Sequence, residues 1–78
     1  MNTFIVKVEE FVSEYSSPNT IDEFVVTTEL SLDEALLAVA PKYGVTSTKV
    51  ETGFSREKWV GNLYGLSIGG SEIKTINL

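Results

Sequence analysis

Two clusters of carboxylates are the first places to look for chemistry in this chain. Glu9 and Glu10 are adjacent, and Glu14 stands a few residues from Asp22 and Glu23 across a turn-like stretch. Adjacent residues on a strand point to opposite faces, so Glu9 and Glu10 share no site without a bulge between them. Glu14 with Asp22 or Glu23 has the oxygen chemistry to hold a hard cation, but solvation of a loop is the simpler use of such residues. Asp33 and Glu34 stand where a helix starts, and there they complement the positive end of the helix dipole. Histidine and cysteine are both absent. That removes the commonest general base, a common nucleophile and the best zinc ligands, and it leaves no base to activate a serine. The glycines fit neither the dinucleotide fingerprint nor the phosphate loop. We therefore expect no enzyme, no metal and no cofactor.

What remains is binding. Residues 1–40 carry eight acidic side chains against the single base Lys7, whereas residues 41–78 carry five bases against Glu51, Glu57 and Glu72. An acidic half of this kind argues against nucleic-acid binding as the main role and suits a partner with a basic surface. The partner-binding candidates are Glu9, Glu10, Glu14, Asp22 and Glu23, joined by Trp59 and Tyr64 as aromatic anchors wherever they are exposed. Tyr15 and Tyr43 come second. Lys49, Arg56, Lys58 and Lys74, with Trp59 and Tyr64, are the only material for a nucleic-acid surface, and they make a thin one.

These residues have to be positioned by a small α+β fold. Seventy-eight residues make one domain with one core. The strongest helix signal lies in residues 30–44. Ser31 and Glu34 form a capping box, and Leu32, Ala35, Leu36 and Val39 make one apolar stripe. Pro41 ends the helix, and Gly44 takes the left-handed turn after it. So short a helix needs a sheet to lie on.

Residues 3–12 read as a strand with Phe4, Val6 and Val8 on one face. Phe11 falls out of that phase, so we expect a bulge near Glu9 or a bend. Residues 16–20 are a turn, and residues 21–29 a second strand carrying Phe24 and Val26, antiparallel to the first. Glu14, Asp22 and Glu23 would then cluster at the hairpin tip. Thr-rich residues 45–54 read as an edge strand guarded by Lys49 and Glu51. Residues 58–68 read as the next strand, Gly69-Gly70 as a hairpin turn, and residues 72–77 as a last strand with Ile73 and Ile76. The expected order is β-β-α-β-β-β: one antiparallel sheet with the helix across one face. The core would contain Phe4, Val6, Phe24, Val26, Leu36, Val39 and Leu63 or Leu66. The opposite sheet face would be mostly polar.

The opening Met1-Asn2-Thr3-Phe4-Ile5-Val6-Lys7-Val8, the early strand pair, and Thr28-Glu29-Leu30-Ser31-Leu32-Asp33-Glu34-Ala35 starting a short helix resemble small phage-encoded anti-CRISPR proteins, some of which share a hairpin followed by "SLxxA" and a helix. The resemblance covers residues 1–40 and carries over no functional residue. It implies an inhibitor that covers a surface of an RNA-guided nucleoprotein complex by steric and electrostatic occlusion, in the host cytoplasm. The basic second half departs from a pure DNA mimic. Two other functions fit the same residues: an assembly protein that forms a homodimer through a sheet edge, and a small nucleic-acid-binding module. No segment has the look of a signal peptide or the length of a membrane span, so no membrane partner is expected.

Overall fold

A computed structural model describes residues 1–11, 17–53, 56–62 and 65–73. The elements are β1 (Asn2–Phe11), β2 (Asn19–Thr28), α1 (Leu32–Val39), a 3-10 turn (Ala40–Tyr43), β3 (Glu51–Gly53), β4 (Arg56–Gly61) and β5 (Gly65–Glu72). The strands form one antiparallel sheet in the order β2-β1-β5-β4-β3. The fold is therefore α+β, with the helix on one face of the sheet, as the hydrophobic pattern requires.

The helix start is built as its residues dictate. The Ser31 hydroxyl accepts from the Glu34 N–H at 3.3 Å, and the Ser31 N–H donates to Glu34 Oε1 at 3.2 Å. Two of the first turn's orphan donors are thereby satisfied. At the other end, Pro41 tightens the chain into the 3-10 turn, and Gly44 takes φ 78 to close it. α1 packs chiefly on β5 and β4, and Leu32, Ala35 and Leu36 point into the sheet. They meet Phe4, Val6 and Val8 of β1, Val60 of β4 and Ile68 of β5, with Ala40 and Val45 closing the end. Phe24, Val26, Val39 and Leu66 are half-buried against this core.

The order of elements agrees with the expectation, but the last strands are cut differently. The strand expected over residues 58–68 is two strands, β4 and β5. They are joined across Gly61 and Gly65, both at positive φ, with the Asn62 N–H donating to the Leu66 carbonyl. Alternation continues through residues 58–68, so periodicity alone hides the reversal. Gly69-Gly70 is not a turn. Both glycines lie inside β5, the middle strand of the sheet. A Cβ at Gly70 would sit 2.8 Å from Leu32 Cδ1 and 3.1 Å from Leu36 Cδ2, so Gly70 lets the helix approach. A Cβ at Gly69 would overlap the Arg56 side chain on the opposite face. The pair is bare because both faces of the strand are occupied. Of the described residues 45–53, only Glu51–Gly53 pair as a strand. Threonine alternation gives strand propensity, but a strand also needs a partner, and β4 offers one only there. Most of the strand expected over residues 72–77 lies outside the described residues, as does Leu63.

Candidate functional site

The two sheet faces sort the candidate residues. On the helix face α1 lies over β5 and β4, which leaves β2 at the rim. β2 is an edge strand of ten residues, with β1 along one side only among the described residues. Between it and the helix runs an apolar groove of about 600 Å³, whose walls include Phe24, Val26, Leu30, Ala38, Val39 and Tyr43. Lys42 also lines it, and the Tyr43 hydroxyl donates a 2.7 Å hydrogen bond to the Asp22 carboxylate. Glu29 precedes Leu30, a wall residue, in sequence. Asp22, Glu23, Glu29 and Glu10 are exposed, and none is in an ion pair among the described residues.

The hydrogen bond to Asp22, helped by burial and the carboxylate charge, raises the Tyr43 phenol above its ordinary pKa. Its stabilising effect is full below the pKa of the unfolded chain and is lost as pH climbs through the raised value. Ultraviolet titration should therefore show a late-ionising tyrosine, and Asp22→Asn should bring its midpoint down. Identical titrations of the two proteins would show that the bond does not hold in solution.

The opposite face is less polar than expected. Ile5, Lys7, Glu9 and Phe11 of β1 lie there in regular alternation, so Phe11 needs no bulge in β1. The register between β1 and β5 is unbroken. The irregularity at Val8/Glu9 is in the pairing with β2, where Ile21 is the extra residue. A second bulge matters more. Gly53 pairs with Arg56 and Thr52 with Lys58, so Glu57 is extra in β4. Strict alternation would put Arg56 and Lys58 on the same face. The bulge separates them, as bulges do when they re-aim a side chain. Lys58 reaches the helix face and pairs with Asp33 at 2.8 Å. Arg56 turns over Gly69 on the far face, where Nη1 lies 3.3 Å from Glu9 Oε1. Its guanidinium sits 5.5 Å from the Phe11 ring centre and 5.9 Å from that of Trp59, within cation–π range. Burial lowers the Arg56 pKa, and Glu9 opposes that shift.

No match was found to any protein-family model, curated protein or solved structure.

Function therefore has to be read from the chain's own geometry. Of the candidates, Glu10, Asp22 and Glu23 are on the surface. Glu9 and Trp59 are 8% and 6% exposed, so neither offers its side chain to a partner. Trp59 instead packs on the far face beside Arg56. Glu14 and Tyr64 lie outside the described residues. The acidic residues do not form one surface: Asp33 is paired with Lys58, Glu51 with Lys49 at 3.3 Å, and Glu9 is buried against Arg56. The bases are dispersed too, with Lys49 at the β3 edge, Lys58 at the helix and Arg56 inside. No group of three potential metal ligands occurs among the described residues. The groove beside β2 escaped sequence reasoning because it comes from where the helix lands. Its one trace in the sequence is Leu30, an apolar residue just outside the helical stripe.

Proposed function

We propose that this chain is a non-enzymatic protein-binding inhibitor that takes an extended, basic segment of its partner along the open edge of β2. The observation that carries this reading is the coincidence of three features on one strand. β2 is a long edge with only β1 beside it among the described residues, and an apolar groove with Lys42 as its one charged wall residue runs next to it. Asp22, Glu23 and Glu29 are exposed on or just after that strand, in no ion pair among the described residues. An added strand gains main-chain hydrogen bonds, and alternate side chains find the groove. The carboxylates choose a segment rich in Lys and Arg and speed its encounter. β3, by contrast, is three residues long and carries the Lys49–Glu51 pair, a protected edge.

A protein or nucleoprotein complex with a basic surface is the partner class, and occlusion of that surface is the effect. The anti-CRISPR resemblance of residues 1–40 makes an RNA-guided complex in a host cytoplasm the first target to try. The experiment titrates such purified complexes with the wild-type chain, with Glu23→Lys/Glu29→Lys and with Ala38→Arg, which fills the groove. Saturable binding is expected, weakened about tenfold or more by each variant, an increment of ~1.4 kcal/mol or above. Binding indifferent to both variants, or no binding to any basic complex, overturns the proposal. Sedimentation equilibrium tests the rival reading. Ile21 and Val25 are exposed on the same strand, and a dimer dissolved by Ala38→Arg would make a second copy the occupant of the edge.

A further inference from the structure

On the face away from the helix is a cavity of about 200 Å³, lined by Ile5, Lys7, Glu9, Arg56, Gly69 and Ser71 among others. It is separate from the groove beside β2. The Arg56 side chain is 6% exposed, yet Nε, Nη1 and Nη2 make no hydrogen bond among the described residues. Glu9 supplies an opposite charge at 3.3 Å, but not an aligned acceptor. A buried guanidinium normally has its fork filled, because unpaired buried donors are costly. Lys7 brings a second cation to the cavity and has no ion pair among the described residues. The Ser71 hydroxyl oxygen already accepts from the Glu57 N–H, so its proton is available to a guest. The lining itself holds two cations and one carboxylate. Glu23, the exposed cross-strand partner of Lys7 on β2, is the nearest further charge on that face, and no ion pair joins it to Lys7 among the described residues.

We propose that this cavity is a binding site for a small oxyanion, a carboxylate or a phosphate, held by the Arg56 fork and the Lys7 ammonium with Ser71 as a further donor. The chemistry is that of planar, charge-assisted recognition of two oxygens. The volume sets the size: it is below the range of about 300–1,000 Å³ that holds drug-sized ligands and equals about seven waters at ~30 Å³ each. One acidic group fits, as a free ion or as the end of a small molecule. The site depends on the β4 bulge that turns Arg56 to this face and on Gly69, which leaves room for it.

The test is thermal unfolding of the intact chain in sodium phosphate and in sodium acetate, each against sodium chloride at equal ionic strength. The oxyanion should raise Tm saturably, by about 5–10 °C at tenfold excess over Kd. A response to phosphate alone or to acetate alone identifies which oxyanion the site takes. Lys7→Gln should weaken the response at least tenfold, whereas Lys49→Gln, at the β3 edge, should keep it. Arg56→Lys should abolish it by removing the fork; should that variant not fold, the wild-type and Lys7 titrations still decide. Equal behaviour in all three salts overturns the proposal and leaves water in the cavity. So does a response unchanged by Lys7→Gln, which would place the binding elsewhere.

Discussion

Glu9→Ala is expected to destabilise the protein by about 3–5 kcal/mol, the usual cost of breaking a buried ion pair from one side. A domain of 78 residues has roughly 4–12 kcal/mol to lose, so this one change takes much of it. Two effects compete. Removing Glu9 recovers the cost of burying its own carboxylate. It also leaves Arg56 without its counter-charge under the sheet, and arginine stays protonated at neutral pH even where burial lowers its pKa. The second effect wins because the charge cannot be discharged. The same reasoning gives a sharper expectation for the pair. Glu9→Leu/Arg56→Met removes both charges and retains bulk beside Phe11 and Trp59, so it should come within about 1 kcal/mol of wild type or exceed it. Urea midpoints for wild type, Glu9→Leu, Arg56→Met and the double variant close the cycle. A Glu9→Ala cost below about 1 kcal/mol would mean that water reaches Arg56 freely, and that the pair is a surface contact.

Leu36→Ala should cost a similar amount, about 3–5 kcal/mol, with a fall in Tm of more than about 10 °C. Helix propensity favours alanine slightly, so the whole loss comes from packing. Leu36 is fully buried and, with Ile68, is among the largest such side chains of the described residues. Opposite it lies Gly70, which has no side chain to move into the space, on the middle strand of a sheet. The cavity therefore persists, which puts the cost in the upper part of the usual range for such truncations. Leu37 is next in sequence but exposed; Leu37→Ala should stay within about 0.5 kcal/mol. Thermal scans of the two variants side by side make the comparison. Equal Tm values would show that α1 is not seated on β5 as described.

Where side chains alternate or recur at helical spacing, the sequence was readable. Phe4, Val6 and Val8 face the helix, Ser31 and Glu34 cap it, and Leu32, Ala35 and Leu36 form its buried stripe. Glycine was the misleading residue. Gly69-Gly70 has the composition of a hairpin turn, but the same absence of a side chain serves close approach from two sides. Gly61 and Gly65, which fit the strand alternation, flank the true reversal. Local sequence does not separate these uses, because the difference lies in what another part of the chain brings to that spot.

The candidate site shows the same division. Exposure of Asp22 and Glu23 follows from their type and position, and the sequence named them. Burial of Glu9 does not, since a lone carboxylate on a strand goes inside only when a cation meets it there.

By itself, the sequence determined the capped helix, the hairpin that precedes it, the single antiparallel sheet and the lack of histidine or cysteine chemistry. Each follows from near neighbours: cap and stripe within a few residues, alternation within a strand. Tertiary structure alone decided three things. The helix lands on β5 and β4, so β2 is left with an open edge and a groove. One extra residue in β4 sends Arg56 and Lys58 to opposite faces. Glu9 and Arg56, far apart in sequence, meet beneath β5. All three depend on register and docking between distant segments, which no local pattern records.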